Sequence, residues 1–345
     1  MYYTNVKRKI HVRRLITAGT CIAVFLIAAI GMAVAGNNYR FTQLPVHIPV
    51  PNGYLEGVLT TPPKDPARGL VVMVHGDSAV DATRNGLYAP WLEGAADAGY
   101  ATLSWSKPGV KGSTGNWLDQ SMEDRAAEVS FAIDWAITQS GIPTENLVLW
   151  GASQAGWVMP KVVAQRGDID GVIAVGTAIN WLSQGRFNTL AELDYANAPD
   201  EERQRELSSS DTLRDLLQQH GSYEQYLDTT TEKTPMSSGR WGFVARNLRA
   251  DATEDLRASA TRNIPILLLA GDRDRNVDID ETERVYRDIF ADDLSVKRFD
   301  AVHSLARPII DSNNLVGTAT GIFWSRALLA PGVISTYTDF LDTLD

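Results

Sequence analysis

Short, unbroken apolar runs recur along this chain, each followed by a stretch with helical periodicity. Residues 70–74 (LVVMV) are the clearest, and 101–105, 147–150, 171–175 and 264–270 repeat the pattern; 294–299 is a more polar version. A β-rich run of this length without alternation suits a strand covered on both faces. Residues 46–50 and 54–60, joined by Pro51-Asn52-Gly53, read as an opening hairpin. Helical patterns fall between the runs at 89–98, 122–138, 154–166 and 281–290, and Ser335 is placed to cap a closing helix over 336–344. Acids in the first turn of 122–138 suit the helix dipole. Strands alternating with helices predict an α/β fold with a mainly parallel sheet and helices on both faces.

The alternation stops between about 180 and 262. That stretch is polar (DEERQRE at 200–206, three serines at 208–210, three threonines at 229–231) and shows helical patterns but no strand. Trp181, Tyr223, Tyr226, Trp241 and Phe243 argue for a packed insertion, a lid, rather than a loose linker. The expected organisation is therefore an N-terminal segment over 1–35, a body over 36–179 and 263–345, and a lid over 180–262.

The N-terminal segment has its own logic. Lys7, Arg8, Lys9, Arg13 and Arg14 form a basic cluster, and 15–35 follow without a charge. Twenty-one helical residues span about 30 Å, the thickness of a bilayer core. A signal anchor is expected, with the basic tail in the cytoplasm and the body on the other side. The alternative is cleavage after Ala33-Val34-Ala35, which would release the body.

Charge and cysteine content narrow the function. The whole chain carries −10 and its first 35 residues +5, which leaves −15 on the body. Such a surface repels phosphate backbones, so no nucleic-acid partner is expected. The single cysteine, Cys21, lies in the N-terminal apolar run. Thiol catalysis, disulfides and cysteine-held zinc in the body are therefore excluded, and no metal or other cofactor is implied.

The run at 147–150 leads directly into Gly151-Ala152-Ser153-Gln154-Ala155-Gly156 and then a helical pattern. A serine on a sharp strand-to-helix turn needs small neighbours two positions away on either side, and Gly151 and Ala155 supply them. The turn would expose the Ser153 hydroxyl and aim the Gln154 N–H at a developing oxyanion. Of five histidines, His303 alone follows the last strand, where loops at one sheet edge converge; it is the candidate base. The acid should follow the 264–270 strand, where Asp272 and Asp274 compete. Asp274 is preferred, because Asp272 sits so near the strand end that it suits a turn. After the 70–74 strand, His75-Gly76-Asp77 offers a second oxyanion donor in the Asp77 N–H, with His75 as a hydrogen-bonder of that loop.

Taken in order, His75-Gly76, the 151–155 elbow, Asp274 and His303 resemble the α/β-hydrolase superfamily from about 46 to 344. The glycine-rich stretch at 107–113 (KPGVKGS) also looks like a loop of that family, with Lys111 interrupting its usual pattern. The look is closest to bacterial esterases related to dienelactone hydrolases, acyl-thioesterases and serine aminopeptidases. The resemblance implies an eight-stranded sheet with a helical lid, and acyl transfer from a small-molecule substrate through Ser153, His303 and Asp274. A carboxylic ester is the expected substrate, with a thioester or a peptide amino terminus as alternatives on the same residues. A non-catalytic, membrane-tethered binding module of the same fold and an acyltransferase are the competing classes. An aminopeptidase would need carboxylates for a substrate ammonium; the lid offers Glu192, Asp194, Asp200, Glu201 and Glu202.

Overall fold

The computed structural model describes residue 20 and residues 24–64, 66–139, 141–143 and 145–344. Residues 24–36 are helical (α1), and no helix among the described residues is long and apolar enough to cross a membrane. The whole basic cluster and, apart from Thr20, the first part of the 15–35 run lie outside the described residues.

Eight strands form one sheet: β1 (Thr42–Val50), β2 (Gly53–Thr61), β3 (Gly69–Val74), β4 (Tyr100–Trp105), β5 (Leu147–Ala152), β6 (Gly171–Val175), β7 (Ile266–Gly271) and β8 (Leu294–Phe299). Their order is β1-β2-β4-β3-β5-β6-β7-β8. The β1–β2 hairpin and the β2–β4 pair are antiparallel, and every pair from β4 to β8 is parallel. The helices are α2 (Ala89–Asp97), α3 (Met122–Thr138), α4 (Met159–Gln165), α5 (Trp181–Tyr195), α6 (Asp200–Gln218), α7 (Tyr223–Thr229), α8 (Ser238–Asn247) and α9 (Thr253–Ala260). After β7 come α10 (Ile279–Phe290), α11 (Pro308–Ser312), α12 (Asn314–Phe323) and α13 (Val333–Leu341). The stretch between β6 and β7 thus carries five helices and no strand.

Every residue of β3, β4 and β7 is buried, as unbroken apolar runs require. Alternate residues feed two cores. Leu70, Val72, Leu147, Leu149, Ile266 and Leu268 pack towards α3, α4 and α10. Val71, Met73, Val148, Trp150, Leu267 and Leu269 pack towards α2 and α13. The edge strand β8 exposes Lys297 and Arg298, charges that discourage pairing with another sheet edge.

Two helix starts differ most from the sequence reading. The 154–166 helix opens as a 3-10 turn, Ser153–Trp157, and α4 begins only at Met159, with a proline in its first turn where a missing N–H costs nothing. The closing helix starts at Val333, after Gly332 in a left-handed conformation, so Ser335 lies inside it and donates to the Gly332 carbonyl at 3.1 Å. Burial of Val333 and Tyr337, the latter 5.3 Å from Trp91, sets that start.

The order around the sheet centre positions the site. From β3 the chain moves to β4 on one side, then returns to place β5 on the other. Loops leaving the carboxyl ends of β3 and β5 therefore diverge and leave a crevice between them.

Candidate active site

Ser153 occupies the crevice at the end of β5 with φ of 55°, the left-handed region that a non-glycine residue enters only under constraint. The turn is crowded. A Cβ at position 151 would lie 2.5 Å from the Met159 sulfur and 2.7 Å from the Ala155 Cβ. Small residues at 151 and 155 are thus what the turn can hold. Ser153 itself is only half-buried, whereas Gln154 behind it is buried.

Asp274 and His303 come from the loops after β7 and β8. His303 Nδ1 donates to Asp274 Oδ2 at 2.7 Å, and the carboxylate side chain is only 2% exposed. The other oxygen, Oδ1, accepts from the amides of Asn276 (2.7 Å) and Val277 (2.9 Å). Asp272 is instead on the surface and takes a hydrogen bond from Arg298 at 2.6 Å.

The loop after β3 leans directly on the elbow. A Cβ at position 76 would sit 3.1 Å from the Ala152 carbonyl oxygen and 3.3 Å from the Ser153 Cβ. His75 is buried, with Nε2 donating to the Trp105 carbonyl at 2.5 Å and its ring stacked on Tyr88. Burial pushes its pKa down to about 3, so it stays neutral.

Two buried cations, neither singled out from sequence as a site residue, brace this loop. Arg125 on α3 donates to Gln154 Oε1 and to the His75 carbonyl, both at 2.6 Å, which ties the loop to the elbow. Its signal was an arginine in the apolar stripe of α3, beside Met122, Ala126 and Val129. Lys107 donates to the Gly76 carbonyl at 2.5 Å and lies over the Trp117 ring. Burial pushes its ammonium well below its ordinary value, with Arg125 adding to the shift. The insertion reaches the loop through α8. Arg240 on α8 grips the Asp77 carboxylate with both terminal guanidinium nitrogens, Nη1 and Nη2, at 2.9 and 2.5 Å. Burial would raise the Asp77 pKa, but this pairing holds it below its ordinary value.

Ser153 and His303 line one cavity of about 390 Å³. Its walls are mainly apolar, with Val80, Leu87, Trp91 and Trp150 from segments before and at the elbow and Ile310, Leu328 and Leu329 from the segment after His303. None of its described lining residues comes from 180–262; the second wall is built by the segment after His303. His303 also borders a polar recess of about 200 Å³ with Arg84, Arg273 and Arg275. Among the described residues no group of three His, Cys, Asp or Glu side chains is placed to hold a metal ion.

The family model described as serine aminopeptidase, S33 (Hydrolase_4), matches residues 65–306. No curated protein matches the chain. Among solved structures, an esterase from Pyrococcus furiosus is similar at 14% identity over 84% of this chain and 94% of its own, with a TM-score of 0.51. The esterase Est1E of Butyrivibrio proteoclasticus, bound to ferulic acid, shares 14% identity over 86% and 96%, with a TM-score of 0.53. An acylaminoacyl peptidase from Pyrococcus horikoshii shares 11% over 88% of this chain but 42% of its own, also at 0.53. At these identities the structures speak for the fold, and the family match covers most of the chain. The chain belongs to the serine aminopeptidase S33 family of α/β-hydrolases.

Proposed function

We propose that the protein is a serine hydrolase of carboxylic esters, with Ser153 as nucleophile, His303 as general base and Asp274 as the group that orients the imidazole. The observation that carries this reading is the pairing of a left-handed Ser153 with a His303–Asp274 hydrogen bond on the walls of one apolar cavity. With Nδ1 donating to Asp274, His303 keeps Nε2 to take the Ser153 proton as the hydroxyl attacks the acyl carbon. The tetrahedral oxyanion is held by the Gln154 and Asp77 amides, one opening the 3-10 turn and the other on the loop braced by Arg125 and Lys107. His303 then returns the proton to the departing alkoxide, and water, deprotonated by the same nitrogen, releases the acid.

The cavity favours an ester over a peptide amino terminus. Its apolar walls suit an acyl chain, and the polar recess that His303 also borders suits the leaving group. An aminopeptidase must hold an ammonium, yet the one carboxylate among the cavity's described lining residues, Asp77, is already paired with Arg240. Two lid acids are also engaged, Glu192 by Arg275 and Asp194 by Arg203. Asp200, Glu201 and Glu202 occupy the first turn of α6, where the helix dipole favours them.

Labelling with a fluorophosphonate, beside Ser153→Ala and His303→Ala, tests the assignment. Labelling of the wild type that disappears in both variants supports it. A folded wild type that takes no label excludes an activated serine and returns the fold to a binding role.

A further inference from the structure

The segment after His303 has a second face. The chain leaves the body at Ala306 and returns at Leu329, where the two residues form an isolated β-bridge. Arg307 fixes the crossing, its amide bonded to the Leu328 carbonyl at 3.0 Å and its side chain to the Leu329 carbonyl. Between these points lie α11 and α12. Helix α12 (NLVGTATGIF) has no charged residue and, among the described residues, no buried one. Leu315 is 84% exposed, and Ile309, Ile322 and Trp324 each expose at least half of their surface. An uncharged helix with no fully buried residue, flanked by further exposed apolar side chains, is unusual on a body this acidic.

What lies beside this face identifies its occupant. The end of the N-terminal helix is stapled to the end of α12. Asn37 Nδ2 donates to the Ile322 carbonyl at 2.8 Å, and Arg326 donates to the Gly36 and Asn38 carbonyls at 2.8 and 2.7 Å. Tyr39 donates to Ser325, which donates to Asn37. Arg326 is locked in turn by Glu93 on α2. Immediately before this staple, Val24, Phe25, Leu26, Ile27, Ile30, Met32 and Val34 are all exposed, within the uncharged run 15–35. An apolar helix that enters a bilayer at this point brings α12 to the bilayer surface with it.

We propose that α11 and α12 form an interfacial surface that rests on a lipid bilayer, next to the point where the N-terminal helix enters it. With the N-terminal helix in the bilayer, a soluble partner would have to compete with lipid held beside the face. The same excursion lines the cavity with Ile310 and Leu328, so the wall of the cavity and the lipid-facing surface are two sides of one segment. On the ester-hydrolase reading, on which this clause alone rests, an acyl ester dissolved in the membrane then reaches Ser153 without first entering bulk water.

The test uses the full chain in phosphatidylcholine vesicles, and the single native cysteine makes it simple. An environment-sensitive fluorophore is attached to Leu315→Cys in a Cys21→Ser background and compared with one on Asp292→Cys, at the opposite end of the sheet. The Leu315 probe is expected to shift its emission to the blue and to be quenched when brominated phosphatidylcholine replaces part of the lipid; the Asp292 probe is expected to do neither. A Leu315 probe as unquenched as the Asp292 one overturns the proposal. So does a blue shift that brominated lipid leaves unquenched and that grows with protein concentration, which would make a second copy of this chain the occupant. Recovery of the labelled body in the vesicle-free supernatant overturns it too. Fluorophosphonate labelling is read on the same preparations, so loss of the membrane contact and loss of the activated serine are separate results.

Discussion

The Asp274 carboxylate is buried with one oxygen on His303 Nδ1 at 2.7 Å and the other on two backbone amides. The amides fix the carboxylate, and the carboxylate fixes the imidazole. Asparagine can still accept from the amides of Asn276 and Val277, but its amide nitrogen cannot accept the His303 proton. Asp274→Asn is therefore expected to fold normally and to lose about 10³–10⁴-fold in kcat, with little change in KM, by imposing the wrong tautomer. Steady-state hydrolysis of a chromogenic ester beside a thermal melt reads both effects.

Arg125 joins two elements that must be in register, the loop after β3 and the elbow after β5. Its removal strands the His75 carbonyl and the Gln154 side chain in a buried place. Arg125→Met is expected to cost roughly 3 kcal/mol of stability, the loss of two hydrogen bonds from a charged donor. Arg125→Lys, which keeps the charge but has no fork, should fall between it and the wild type. Denaturant unfolding of the three proteins orders them.

His75 gives the protein a specific acid sensitivity. Burial holds its pKa near 3, against an ordinary value of 6.5. Below 6.5 the unfolded chain takes up a proton that the folded one refuses, so its full contribution is present above that pH and is lost as pH falls towards 3. Lys107, Arg125 and Arg84 face the ring and further oppose its protonation. Between pH 6.5 and about 5.5, above most carboxylate titration, stability is expected to fall by up to about 1.4 kcal/mol per pH unit. In a folded His75→Gln variant, whose amide can still donate to Trp105, that slope should flatten.

Gly151 is the tightest point of the elbow. Met159 can swing its thioether away from an added methyl group, but the Ala155 Cβ at 2.7 Å is fixed to the backbone. Gly151→Ala is expected to destabilise by about 1–3 kcal/mol, as overpacking does. It should also slow fluorophosphonate labelling by shifting Ser153. Labelling at the wild-type rate in the melted-down variant would show that the turn has room the geometry denies.

The sheet was readable along the chain because its signals are local. An unbroken apolar run such as 70–74 reports burial on both faces, and the spacing of α3 gives both of its boundaries exactly. The elbow was readable for the same reason: crowding around Ser153 is relieved only by small residues two positions away. Helix starts were less so, since the onset of α4 depends on how far the left-handed turn at Ser153 must unwind. What decided the remainder lies between residues far apart in sequence. Arg125 stands in the apolar stripe of α3, but what it braces is decided only when α3 packs under the loop after β3. Distance from the strand end favours Asp274 over Asp272, but it is the approach of His303 from the loop after the next strand that pairs it with the imidazole. The second wall of the cavity comes from 306–329 because Ala306 and Leu329 pair and throw that segment across the site. Sequence periodicity reports which side of an element is covered. Which element covers it is settled only when the chain closes on itself.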